Sequence, residues 1–326
     1  MPQRRLVLQH LAATAVALPF AAAHAQAFPS RPLRLVVPNG PGGAADITSR
    51  TVGQAMSAGL GQPVVIENKP GAGGVVAGEM VSRAEPDGHT MLLVSSGTAV
   101  SAALFKSLPF DTLKDFAPVS LLATFNLVLV AAEGGRLRSL ADVLAYARAN
   151  PGKLNIGSPQ MGTTQHLAAE LFKTTAGLDA QVVPFNGTPP VITALRSGEI
   201  DVGVDIFGPL RGQIGQKSLR ALAVLGDRRE PALPDVPLVR EAGGPLAQFN
   251  ASSWNGLAVP ARTPAAAIDR LNREARAALA RPEVARKLDE LGLHAQGSTP
   301  AQLGEHLAAD VRRWGEVIAR SRIPRQ

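Results

Sequence analysis

Apolar and polar positions along this chain follow a strand–turn–helix rhythm. Residues 33–38 form an apolar run bounded by prolines, which predicts a buried strand, and residues 44–60 follow with helical spacing. Residues 64–66 predict a second strand, 75–84 a short helix and 90–95 a third strand. Alternation of this kind predicts a parallel sheet with helices on both faces. Residues 116–131 break the rhythm, being long, apolar and without helical spacing, as a strand crossing between lobes is. A second series then opens with a helix over 140–150, and strands are expected at 154–157, 181–184, 200–205 and 219–225. Residues 252–259 predict a second crossing strand, and 264–280, 282–291 and 300–320 predict helices. The last of these carries Leu303, Leu307, Val311, Trp314 and Ile318 on one face.

Two αβ series joined by two crossing strands predict two hinged lobes with a cleft between them. The expected division is lobe 1 over 28–124 and 253–326, and lobe 2 over 125–252. In open α/β sheets ligands sit beyond the carboxyl ends of the strands, and that rule selects the turns that carry chemistry.

The first is Asn39-Gly40-Pro41-Gly42-Gly43-Ala44-Ala45-Asp46, where glycines allow close approach and the following helix start favours an anion. The second is Ser95-Ser96-Gly97-Thr98, whose hydroxyls either bond a carboxylate or cap the next helix. Gly162-Thr163-Thr164-Gln165-His166 repeats the anion logic on the opposite wall. Phe185-Asn186-Gly187-Thr188 is a fourth turn, and Asp205, ending its strand, is a candidate anchor for a ligand hydroxyl, amine or bridging water. The turn at 40–45 also fits a dinucleotide fingerprint, with Glu67 as the ribose-binding acid, so a nucleotide-dependent enzyme is the alternative reading. Pro41 weakens it by removing an N–H from the phosphate cradle, as does the second glycine turn at 71–74 directly after Glu67.

The N-terminal 27 residues change the picture further. Arg4 and Arg5 precede an apolar stretch over 11–23, and Ala25-Gln26-Ala27 offers a cleavage site, so an export signal cut near Ala27 is expected. The paired arginines also permit the twin-arginine route. Net charge is +7, or +5 without Arg4 and Arg5, and the basic residues are scattered. Aromatics are only 4% and do not interleave with them, which argues against nucleic acid. The absence of cysteine removes thiol catalysis and thiolate metal sites. His89, His166, His294 and His306 have no metal-ligand spacing, and no nucleophile elbow or zinc-protease motif occurs.

The run Phe28-Pro29-Ser30-Arg31-Pro32-Leu33-Arg34-Leu35-Val36-Val37-Pro38, then Pro41-Gly42-Gly43 and Asp46, resembles the opening of the Bug-type receptors of tripartite tricarboxylate transporters. So do Gly61-Gln62-Pro63-Val64-Val65-Ile66-Glu67-Asn68-Lys69-Pro70-Gly71-Ala72-Gly73-Gly74, Pro86-Asp87-Gly88, Leu113-Lys114-Asp115-Phe116-Ala117-Pro118-Val119 and Leu233-Pro234-Asp235-Val236-Pro237. The resemblance implies an α/β, two-lobed type II periplasmic-binding-protein fold closing on a small carboxylate, with no catalytic cycle, cofactor or metal. It also implies a periplasmic monomer partnered by membrane transporter subunits. Gly42, Gly43 and Ala44 would grip the carboxylate from one side and Gly162, Thr163 and Thr164 from the other. Thr98, His166 and Asp205 stand where supporting contacts are expected, and Asn39, Asp46, Ser96, Phe185 and Asn186 are further candidates for ligand binding. Three positions depart from the family's habit: Asn39 in place of an aromatic residue, Ala99 in place of a histidine, and Phe185-Asn186-Gly187 in place of an aromatic–Lys–Gly.

Overall fold

The computed structural model describes residues 28–326 except Gly162; the expected export signal at 1–27 lies outside the described residues. The chain begins with β1 (Leu33–Val37), α1 (Ala44–Leu60), β2 (Val64–Asn68), α2 (Val75–Ser82), β3 (Thr90–Ser95), α3 (Ser96–Leu104) and β4 (Phe116–Phe125). It continues with β5 (Leu127–Ala132), α4 (Leu140–Ala149), β6 (Leu154–Pro159), α5 (Thr164–Thr175), β7 (Ala180–Phe185), α6 (Thr188–Ser197), β8 (Val202–Ile206), α7 (Phe207–Gly215) and β9 (Leu219–Val224). It closes with β10 (Ser253–Pro260), α8 (Ala265–Leu279), α9 (Pro282–Asp289), β11 (His294–Ala295) and α10 (Pro300–Arg320).

These strands build two sheets, one ordered β11-β4-β10-β3-β1-β2 and the other β7-β6-β8-β5-β9. Both are mixed rather than parallel. β1 pairs in parallel with β2 and β3, while β10 runs antiparallel to β3 and β4. In the second sheet β6 is parallel to β7 and β8, and β5 is antiparallel to β8 and β9. The antiparallel strands are those next to the crossings between sheets, where the chain arrives from the other lobe instead of from a crossover helix. The expected single crossing strand over 116–131 is two strands. Asn126 breaks them: its carbonyl accepts the Phe207 N–H at 3.0 Å, and its amide donates to Glu230 at 3.1 Å. Phe125 still belongs to the first sheet, and the chain returns there at Ser253.

The apolar face of α10 packs against α3 and β4 of the first lobe. Leu303, Leu307, Trp314 and Ile318 are buried on it, and the fully buried Trp254 donates its indole N–H to Asp310 of the same helix at 2.7 Å. Arg313 reaches the Asn250 carbonyl at 2.9 Å. Burying one side chain of this size contributes about 1.5–3 kcal/mol, so this stripe is a principal brace of the first lobe. Among the described residues no helix is long and apolar enough to cross a membrane.

Candidate functional site

A cleft of about 620 Å³ opens between the two sheets. It is lined from the first lobe by Asn39, Gly43, Ala44, Ser96 and Thr98, and from the second by Gln160, Met161, Thr163, Thr164 and Gln165. Phe125, Ile206, Ser253 and Asn255, at or beside the crossings, complete its floor. Three helices begin here. Gly43 is the N-cap of α1, Ser95 that of α3 and Thr163 that of α5. A helix start carries unpaired N–H groups and a partial positive charge, so three of them on one cleft make an anion-attracting surface without any cationic side chain. Among the described residues lining the cleft there is no Asp, Glu, Lys, Arg or His.

The first turn is shaped by Asp46. Its buried carboxylate accepts the Gly42 N–H at 3.0 Å, Arg50 Nε at 3.0 Å and Asn68 Nδ2 at 2.9 Å. Burial opposes its charge, but these hydrogen bonds from Arg50, Gly42 and Asn68 prevail and hold the carboxyl below the usual range. Gly42 sits at φ +84°, a left-handed conformation that suits glycine. Neither Gly42 nor Asp46 lines the cleft. They hold the turn, and Gly43 and Ala44 face outward from it. The N-cap Gly43 has no side-chain bond to the first turn of α1, which leaves those N–H groups open.

The second turn caps its helix, with Thr98 Oγ1 accepting the Ser95 N–H at 3.0 Å. Ser96 bonds Ser253 and lies 3.4 Å from Thr164 Oγ1, so a chain of hydroxyls crosses the floor from one lobe to the other. On the opposite wall, Thr163 Oγ1 donates to the Gln160 carbonyl at 2.8 Å and accepts the His166 N–H at 3.2 Å. Gly162 lies outside the described residues.

Besides Gly42 and Asp46, four further expected residues do not line the cleft. His166 is buried inside the α5 packing, where desolvation lowers its imidazole pKa against the pull of Glu170. Helical residues one apart point about 100° away from each other, and it is Gln165 that faces the ligand space. Phe185 ends β7 and Asn186 follows it; β7 is an edge strand one place beyond β6, so this turn is displaced sideways from the lining. Asp205 is fully buried behind Gln165, which donates to it at 3.3 Å. Burial pushes its carboxyl up, opposed by contacts from Thr188, the Ile206 N–H and Gln165. Sequence reasoning missed Ser253 and Asn255 as lining residues. All of β10 is buried, so no alternation marked which of its residues face the cleft.

The dinucleotide reading fares poorly at the same turn. Glu67, its ribose-binding acid, is engaged by Arg34 at 2.8 Å, and the Gly42 N–H is spent on Asp46.

Two mixed sheets joined by two crossings, with helix starts converging on the cleft between them, define a two-lobed solute-binding receptor. The family model described as "Tripartite tricarboxylate transporter family receptor" matches residues 48–323. The protein BugT of Bordetella pertussis is 33% identical over 296 residues, covering 90% of each chain. Among solved structures, Rpa4515 of R. palustris with adipate is 30% identical, with a TM-score of 0.78, covering 90% of this chain and 98% of its own. MatC from Rhodopseudomonas palustris with bound malate is 32% identical, with a TM-score of 0.75, covering 89% and 100%. The chain belongs to this receptor family, which is a family of solute-binding proteins and not of enzymes.

Proposed function

We propose that this protein is an extracytoplasmic receptor that binds a small organic carboxylate in the interlobe cleft and delivers it to the membrane subunits of a tripartite tricarboxylate-type transporter. The observation that carries the reading is the convergence of three helix N-termini on a cleft without charged side chains. Each such helix start favours an anion by about 0.3–1 kcal/mol, and by up to about 2 kcal/mol where partly buried. The relatives bound to adipate and to malate are consistent with the same ligand class. Gly43, Ala44, Ser96, Thr98, Thr163 and Thr164 form the ligand surface in this reading. Gly42, Asp46 and Asp205 support that surface from behind. The protein works as a periplasmic monomer after removal of residues 1–27, with lobes spanning 28–124 plus 253–326 and 125–252. Ligand binding shifts the lobes toward a closed form in proportion to its preference for that form, and the closed surface is what the membrane partner reads.

Calorimetric titration of the mature protein with small carboxylates, their methyl esters and NAD tests this. The expected result is binding by a carboxylate class and none by the esters. Binding of NAD with silence from every acid would overturn the proposal.

A further inference from the structure

Two carboxamide side chains on the cleft wall are tethered by their nitrogen ends. Gln165, in the first turn of α5, donates Nε2–H to Asp205 Oδ1 at 3.3 Å. That same oxygen accepts the Ile206 N–H at 2.7 Å, and Thr188 adds a contact to the same buried carboxyl. Oδ1 is therefore the oxygen that accepts, from the Ile206 N–H and from Gln165 alike. The Gln165 amide has one favourable orientation: nitrogen toward Asp205 and Oε1 toward the cleft. Asn255, on β10, does the same from the other lobe. Its Nδ2 donates to the Ala44 carbonyl at 3.3 Å and to Thr48 Oγ1 at 3.1 Å, which spends both N–H groups and leaves Oδ1 as an acceptor. Both residues line the cleft.

We propose that the cleft selects a carboxylate carrying a hydrogen-bond donor on its carbon skeleton, a hydroxyl or an ammonium, which Gln165 Oε1 and Asn255 Oδ1 accept. The inference rests on the carboxylate-receptor reading above and narrows its ligand class. A plain carboxylate offers only acceptors. It satisfies the helix N–H groups but leaves two amide oxygens dehydrated and unpaired, and an unmade hydrogen bond in an enclosed site costs more than a made one contributes. A donor on the skeleton removes that penalty. The two amides thus turn a general anion cleft into one that discriminates between acids of equal charge.

The test is calorimetry on matched acids: malate against succinate and lactate against propionate for the hydroxyl, and aspartate against succinate for the ammonium. The donor-bearing member of at least one pair is expected to bind roughly 10- to 100-fold tighter. A preference confined to malate and lactate assigns the hydroxyl, and one confined to aspartate assigns the ammonium. Gln165→Leu is expected to collapse the ratio by weakening the donor-bearing acid while the donor-free acid, relieved of an unpaired amide oxygen, binds as well or tighter. Equal loss for both members would reduce Gln165 to a wall residue and overturn the inference. Asp205→Asn keeps an accepting oxygen toward Gln165 and should retain the preference; Asp205→Ala frees the amide to rotate and should erode it. Should Asp205→Ala fail to fold, Gln165→Leu still decides. Equal wild-type affinities within every pair overturn this inference alone, whereas no binding by any acid overturns the carboxylate reading as well.

Discussion

Replacing Asp46 by alanine would remove the brace of the first anion-binding turn without touching the cleft surface itself. Asp46 is 4% exposed and accepts three hydrogen bonds, from Gly42, Arg50 and Asn68. Loss of the Gly42 and Asn68 contacts costs about 1 kcal/mol each, and the contact with the exposed Arg50 side chain adds about 0.5 kcal/mol. The sum, about 2–3 kcal/mol, corresponds to a drop in Tm of about 5 °C or more for a chain of this size. Affinity should fall about tenfold, because the N–H groups of Gly43 and Ala44 are no longer preorganised. The pH dependence has a definite sign. A carboxyl held below its unfolded value of about 3.9 contributes stability above that pH and loses it as pH falls through the folded value. The gap in Tm between wild type and Asp46→Ala should therefore be full at pH 6 and shrink below about pH 4. Denaturation across pH with parallel titration of ligand measures both effects. An alanine variant with unchanged Tm and unchanged affinity at pH 6 would refute the assignment of Asp46 as the turn's brace.

Other perturbations probe the seam between the lobes. His294 on β11 lies 3.1 Å from the buried Glu230 of the second half and 3.0 Å from Asp289, with Asn126 at the crossing also donating to Glu230. The bond to Glu230, against the cost of burial and with help from Asp289, raises the His294 pKa; burial opposes the Glu230 charge, but His294 and Asn126 prevail and lower it. Stabilisation from the histidine is thus complete below its unfolded pKa of about 6.5 and lost as pH rises through the folded value, while that from the glutamate is lost in acid. His294→Ala should cost about 1 kcal/mol at pH 6 and less at pH 9, read by urea denaturation; an equal cost at both would exclude the charged pair. A Cβ on Gly208 of α7 would lie 2.4 Å from the Leu291 carbonyl, so Gly208→Ala should push α7 off the segment after α9. It is expected to cost about 1–3 kcal/mol and to weaken ligand binding; an unaltered melting curve would mean that the seam is open in solution. Thr163→Ala removes the α5 cap and should lower stability by about 1 kcal/mol, and an unchanged denaturation midpoint would rule the cap out as a contributor.

The elements most legible in the sequence were those with one clear apolar face. α1 and α10 span the residues that their apolar spacing predicts, and the strands fall within two residues of their apolar runs. Three elements were not legible. α3 is Ser-Gly-Thr-Ala-Val-Ser-Ala-Ala-Leu, small residues without a polar face, and it starts directly at the end of β3 with no loop to announce it. α7 contains Gly208, Pro209 and Gly212, which read as a turn, and β11 is two residues long and exists only by pairing with β4. The sheets are mixed because strand direction is a property of the crossings, which hydrophobic pattern alone does not encode. At the site, glycine and hydroxyl residues at strand ends were good pointers because helix starts need them. The phase of α5 was not available from its first turn, so Gln165 and His166 were exchanged in role. The turn at Phe185 and Asn186 was placed by its position after a strand, and the strand order, unreadable from the chain, moves it off the cleft.

In the proposed receptor, helix N-termini and not a cationic side chain hold the ligand's carboxylate between the lobes. A crystal structure of the mature protein with a carboxylate identified by calorimetry tests it most directly. Carboxylate oxygens are expected about 3 Å from backbone N–H groups in the first turns of α1 and α5, with both lobes in contact. A ligand bound outside the cleft, or one whose carboxylate pairs with a lysine or arginine side chain, would contradict it.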